Sequence, residues 1–301
     1  MAQERRFGRW PRSDIGSLPA VSDAEPDLDR ADLVELGPGV FAWVQQPHGH
    51  GRANAGLIVE DDGATVVDTL LTPSQAQPFH DVIAAMGAPI RRAVITSSHI
   101  EYVGGSSVFW MAARYGRSLT SAMLDQPPNV EGYRRLFPAW AGEFDEEFTT
   151  RPISHTVDVA AWLTTGVCAL PSAGQMGQNL VLLVPSADVL FAGAMCSFGT
   201  TPNAFDGDPG AWADALGDLG ETATTIVPGI GPIGGADDVL ALQAYLWSCV
   251  DADGDPNGIP EGPWDEWADR DLDEINIERA AMLARGDDGV PPSMLRRIGL
   301  A

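Results

Sequence analysis

The sequence predicts an α/β protein folded as a four-layered αββα sandwich. Two observations carry this: short β-branched runs gather in two separate halves of the chain, and each half includes a segment of helical periodicity leading into a further strand. A third sets the scale, since 301 residues with 45% hydrophobic and 20% charged side chains supply enough apolar surface for a large core and argue against wholesale disorder.

Taken in order, residues 1–30 are rich in Pro, Asp, Ser and Arg without periodicity, and read as an arm ordered only by packing on the domain or on a neighbouring subunit. The domain is expected over 31–250. Its first strands are "VFAWVQ" (40–45), "AGLIVE" (55–60) and "ATVVDT" (64–69), the last two joined by the turn Asp61-Asp62-Gly63. "PSQAQPFHDVIAAMG" then puts Phe79, Ile83 and Met86 at helical spacing, with Ser74 just before the expected start and Gly87 at the end, and crosses over to the buried strand "RRAVITS". Residues 110–155 mix "PP", "FPAW" and "GEFDEEF" and read as an insertion with some helix. The second half offers the strands "GQNLVLLVP", "DVLFAGAM" and "ATTIVPG" and the helices "DPGAWADALGDLG" and "DDVLALQAYLWSCV". Residues 251–301 form a loop and a tail, expected to pack on the domain or on a partner subunit. The loop "DADGDPNGIPEGP" resembles a calcium loop only superficially, because prolines interrupt it and no glutamate closes it. Trp264 and Trp267 read as packing of this tail.

Charge and composition remove several function classes. The 42 acidic residues outweigh 18 basic ones to give a net charge of -24, which excludes nucleic acid as an expected partner. Every basic residue is an arginine, and the lack of lysine removes Schiff-base chemistry and the Walker phosphate loop. Three cysteines without a CxxC pair suit a reducing compartment better than a disulfide framework. No run approaches the roughly 18 apolar residues of a membrane span, and the N-terminal "MAQERRFGRWPRSDIG" has no apolar stretch after its basic residues. The expectation is a cytoplasmic protein with no membrane partner. The arm and the tail "NIERAAMLARGDDGVPPSMLRRIG" are candidates for packing across a homodimer.

Local motifs say more. "LIVEDDGATVVDTLLTP" is a hairpin ending in Asp68 and Thr69, and "AVITSSHIEYVGGSSVF" is a strand followed by a small-residue loop. "GQMGQNLVLLVP", "VLFAGAMCSFGTTP" and "IVPGIGPIGG" follow in that order. Together they resemble the metallo-β-lactamase superfamily, over most of the chain from about Val40 to the helix near Trp247. The second segment looks like the family's Thr-His-x-His-x-Asp-His-x-Gly-Gly loop. The later ones look like its Gly-His-x-x-x-Asn, Phe-x-Gly-Asp and Pro-Gly-His-Gly-Pro stretches. The resemblance implies the αββα fold and a site that ordinarily holds two zinc ions.

Carried over position by position, most of the metal ligands are replaced. The first histidine is Ser97, the second remains His99, the aspartate is Glu101 and the third histidine is Tyr102. Gln175 stands for the next histidine, Ala194 for the bridging aspartate and Ile230 for the last histidine. A catalytic zinc needs three protein ligands and an open position, which Ser97, Gln175, Ala194 and Ile230 do not supply, so no metal and no cofactor is expected. Gly104, Gly105, Gly193, Gly229 and Pro228 nevertheless stand where the family's backbone needs them.

The candidate catalytic residues are therefore His99 and Glu101, as a proton-sharing pair, with Tyr102 and Ser97 beside them. Each has a plain structural reading as well: a hydrogen-bonded loop histidine, a loop-capping carboxylate, a core aromatic and an ordinary serine without a Gly-x-Ser-x-Gly elbow. Ala194 and Ile230, with Met176, Met195 and Phe198, make the former metal pocket more apolar, which suits a small organic molecule. Gln175, Asn179, Cys196, His48 and His50 complete the expected binding residues. The leading expectation is a metal-independent enzyme acting on a carbonyl or ester compound. Its rivals are a non-catalytic binding or assembly protein, and a zinc hydrolase whose ligands have moved to His48, His50, His99 and Glu101.

Overall fold

The computed structural model describes residues 30–301, so the expected arm lies outside the described residues except for Arg30. One sheet has seven strands in chain order: β1 (Arg30–Gly37), β2 (Val40–Gln46), β3 (Ala55–Glu60), β4 (Gly63–Val67), β5 (Ile90–Val94), β6 (Ala113–Gly116) and β7 (His155–Thr156). The first four form an antiparallel meander, and from β4 onward neighbours run parallel. Helix α1 (Pro73–Ala85) is the crossover between β4 and β5. A second sheet carries β8 (Ala161–Trp162), β9 (Cys168–Ser172), β10 (Asn179–Val184), β11 (Val189–Ser197) and β12 (Thr225–Ile230), antiparallel up to the parallel pair β11/β12. The other helices are α2 (Ile100–Val103), α3 (Ser118–Leu124), α4 (Val130–Leu136), α5 (Pro209–Leu216), α6 (Ala236–Asp251), α7 (Asp273–Ala284) and α8 (Pro292–Arg297).

Burial produces the layers. Ile58, Val67 and Val94 of the first sheet meet Leu180, Leu182 and Phe191 of the second in a shared core. On the outer side of the first sheet, Phe79 and Ile83 of α1 cover Leu57 and Val66. On the outer side of the second, Trp212 of α5 and Leu242 and Leu246 of α6 cover Leu190 and Ile226. Each such fully buried side chain stabilises the fold by about 1.5–3 kcal/mol relative to exposure. Helix, sheet, sheet and helix thus stack as expected from the sequence.

Several boundaries differ from the sequence reading, each for a local reason. The cap of α1 is Thr72, whose Oγ1 accepts from Gln75 N at 3.3 Å, while the helix opens on Pro73, where a missing N–H costs nothing. Ser74 instead donates to Glu143 at 2.5 Å. β1 lies where an arm gives way to "RADLVELG", half-buried at the sheet edge and so lacking a clear apolar face. β6 sits inside the expected insertion and joins the first sheet. The remainder of that stretch packs Phe137, Phe144 and Phe148 on Leu71, Ile95, Ile100 and Val103. The tail packs on the same body: Met294 of α8 meets Leu136 of α4 and Phe205, and Trp264 and Trp267 pack against Tyr245. Among the described residues, no helix is long and apolar enough to cross a membrane.

Candidate active site

The loop after β5 is fixed from below by a buried carboxyl. Asp68, just past β4 and at a φ of 61°, accepts from Thr96 N at 2.8 Å and from Thr96 Oγ1 at 2.7 Å. Burial pushes this carboxyl up to about 8, against the two Thr96 donors that lower it. On the far side of the loop, a Cβ at Gly104 would collide with the carbonyl oxygen of Leu71, so glycine lets this turn pass tightly against the β4–α1 connection. Between these anchors lie Ser97, His99, Glu101 and Tyr102.

The last three border a cavity of about 440 Å³. His50 reaches it from the β2–β3 connection, Gln175 from the turn before β10, Ala194 and Cys196 from β11, and Ile230 from the end of β12. Phe205 and Asp206 come from the connection between β11 and α5, and α4 and α8 add Leu136 and Met294. The wall is mainly apolar, with its carboxylates and imidazoles gathered into two pairs.

The first pair is His99 and Asp206, with Nε2 2.9 Å from Oδ2. The other ring nitrogen, Nδ1, lies 2.8 Å from Gln175 Nε2. The orientation of that amide follows from its network: Gln175 Oε1 accepts from Asn179 Nδ2 at 3.0 Å and from Ser97 Oγ at 3.3 Å, while Asn179 Oδ1 accepts from Met176 N at 2.9 Å. Gln175 therefore donates to Nδ1, and the neutral ring donates its Nε2 proton to Asp206. Burial alone would lower the histidine, but the charge and hydrogen bond of Asp206 more than offset it and hold His99 above the usual imidazole value. The ring stacks on Phe205 with centroids 6.1 Å apart.

The second pair is His50 and Glu101. Glu101 Oε1 accepts from Gly51 N at 2.5 Å and lies 3.8 Å from His50 Nδ1, and His50 Nε2 donates to Thr201 O at 3.0 Å. Burial would raise Glu101, but His50 and the Gly51 donor bring it below the usual carboxylate value. Burial would likewise lower His50, and Glu101 raises it instead. The expected proton sharing between His99 and Glu101 is thus replaced by two separate pairs, because each histidine finds a carboxylate of its own.

The structure brings His50, His99, Glu101, Tyr102, Gln175, Ala194, Cys196 and Ile230 to the cavity wall. Ser97 and Asn179 stand behind it as supports of Gln175, and Ser97 meets no imidazole among the described residues, so the serine–histidine contact needed for a nucleophile is not formed. Met176 lies against the hydroxyls of Ser97 and Ser98. Met195 and Phe198 are buried in the core that includes α5 and α6, and His48 is not part of the cavity wall. Tyr102 packs on Ala53 and Ala194, and burial raises its phenol well above the usual value, which keeps it protonated. Burial also raises the Cys196 thiol, leaving it without thiolate character. Sequence reasoning missed Asp206 and Phe205, and the only signal was the acidic "FDGDPG", whose Asp208 is the α5 cap.

No family model matches the chain. Solved structures do. The metallo-β-lactamase FIM-1 from Pseudomonas aeruginosa, in its mono-zinc form, is 20% identical with a TM-score of 0.57, covering 72% of this chain and 94% of that one. A metallo-β-lactamase from Hirschia baltica is 21% identical with a TM-score of 0.54, over 72% and 97%. One from Pontibacter korlensis is 18% identical with a TM-score of 0.57, over 72% and 99%. The chain therefore has the metallo-β-lactamase fold.

The residues present do not fit the zinc of that fold. Ala194 and Ile230 have no lone pair to give, Tyr102 is held protonated, and the Ser97 and Gln175 oxygens are neutral and engaged with each other. Both nitrogens of His99 are already bonded, and Glu101 serves His50 and Gly51. Among the described residues, no group of three or more His, Cys, Asp or Glu is placed to hold a metal ion, which also corrects the expected alternative of relocated ligands at His48, His50, His99 and Glu101.

Proposed function

We propose that this protein is a metal-independent enzyme of the metallo-β-lactamase fold that carries out general acid/base chemistry on a small organic carbonyl or ester compound. The observation that supports this most is the His99–Asp206 contact of 2.9 Å at the wall of an apolar cavity, with the two side chains 19% and 30% exposed. Few water dipoles compete in such a place, so the charge of Asp206 acts strongly on whatever enters. The Asp206 carboxylate accepts a proton from the substrate, or from the water that attacks an ester, Nε2–H of His99 turns to donate a hydrogen bond to the oxyanion, and Asp206 returns the same proton to the leaving or newly formed oxygen. Gln175 keeps the imidazole in the required tautomer, and Asn179 and Ser97 keep Gln175 in place. Glu101 and His50 form a fixed charge pair beside the reaction, and Tyr102 shapes the wall.

The test is hydrolysis of p-nitrophenyl butyrate in excess chelator. Turnover is expected to persist in chelator and to fall about 10²–10⁴-fold in Asp206→Asn and in His99→Gln. Turnover that is lost on chelation and restored by zinc, or that ignores both substitutions, overturns the proposal. A second reading, a binding protein without turnover, draws on the fact that both His99 nitrogens are already engaged by protein groups. It predicts saturable ligand binding and no turnover across an ester and carbonyl panel.

A further inference from the structure

We infer that the cavity selects an apolar compound bearing a protonated amine, which Asp206 seats; this names the ligand class of the site proposed above and rests on that site. Size and wall chemistry come first. A cavity of about 440 Å³ walled by Leu136, Met294 and Ile298 and by the aromatic rings of Tyr133, Phe137 and Trp212 takes a compact hydrocarbon or aromatic body.

Charge then chooses the head group. The carboxylates on the wall are Glu101 and Asp206, and the histidines are His50 and His99, each committed to one of them. Among the described residues no arginine lines this cavity, and the chain has no lysine. Arg135 and Arg297 border a smaller neighbouring cavity of about 40 Å³, but both are engaged. Arg135 bonds Glu131 and the carbonyls of Ile298 and Gly299, and Arg297 bonds Asp271. An anionic ligand would therefore meet two carboxylates of its own sign and no uncommitted cation, whereas an ammonium would meet the same two carboxylates as opposite charges.

Asp206 also has capacity to spare. Its Oδ1 is enclosed by protein without a hydrogen-bond partner among the described residues and its Oδ2 is met by His99, yet the side chain is still 30% exposed at the cavity wall. A carboxylate with only one hydrogen-bonded oxygen is costly at an apolar wall, and an ammonium, with three donors, adds a charge-assisted bond and a counter-charge at its exposed edge. A charge-assisted bond of this kind favours an amine over an isosteric alcohol by about 10- to 100-fold.

The experiment is calorimetric titration of the full chain with 4-phenylbutylamine, 4-phenylbutan-1-ol and 4-phenylbutyrate at neutral pH. The amine is expected to bind at least about tenfold more tightly than the alcohol, with the carboxylate weakest, and the amine-to-alcohol ratio is expected to fall towards one in Asp206→Asn. Equal or tighter binding of the carboxylate, an amine preference that survives Asp206→Asn, or no saturable binding of any of the three overturns the inference. The ranking in the unaltered protein decides the matter even if the variant does not fold. This measurement and the ester assay fail separately: amine preference without ester turnover removes the acid/base reading alone, and ester turnover without amine preference removes this inference alone.

Discussion

At Asp68 a carboxyl is enclosed by the fold and answered by a single residue, Thr96, through its amide and its hydroxyl. Held at about 8, against roughly 3.9 for an unfolded aspartate, it binds its proton more tightly in the native state. Its contribution to stability is therefore full below about pH 4 and is lost as pH rises through about 8. Asp68→Asn is expected to flatten that decline, read as the urea midpoint at pH 5 and at pH 8; an unchanged difference between the two midpoints would contradict it. At this same scale the resemblance singled out His99 and Glu101, and Ala194 and Ile230 as positions without a donor. It did not show their partners. Asp206 lies 107 residues from His99 and His50 lies across a separate loop from Glu101, so only the folded chain reveals which carboxylate each histidine meets. Met195 and Phe198 were misplaced for a related reason: a strand motif gives the order of its residues, while the side each one faces depends on what packs there.

Elements were more legible than their ends. β3 spans Ala55–Glu60 as read, because its apolar run is bounded by a turn signal at Asp61-Asp62-Gly63. β1 and β6 to β9 were not read as strands, since each is short or only half-buried and so lacks a complete apolar face. The Gly-Gly of the loop after β5 illustrates how an element constrains a residue. Gly104 has an ordinary backbone conformation, with a φ of -61°, so its need for glycine is purely steric. Gly104→Ala is expected to destabilise by about 3 kcal/mol, at the upper end of overpacking costs, because the obstructing atom is a backbone carbonyl that has little room to move. Denaturant unfolding measures this, and a loss below about 0.5 kcal/mol, the size of an ordinary surface change, would show that the loop is not so tightly seated.

Across the whole molecule, a net charge of -24 with arginine as the only basic side chain besides histidine makes self-repulsion a property of the entire surface. Screening shortens its reach from about 30 Å at 0.01 M salt to about 8 Å at physiological ionic strength, so the melting temperature is expected to rise over that range. A melting temperature that is flat or falls with salt would place the stabilising charges in local pairs instead. The layered sandwich carries the likeness to the metallo-β-lactamases, and Gly104 holds the loop after β5 against the β4–α1 connection. The side chains at the ends of the strands do not form a zinc donor set among the described residues. The measurement that tests this most directly is elemental analysis of tag-free protein before and after incubation with excess zinc and desalting. No retained zinc is expected in either sample; stoichiometric zinc, removable by a chelator, would contradict the assignment of a metal-free site and bring metal-assisted chemistry into it.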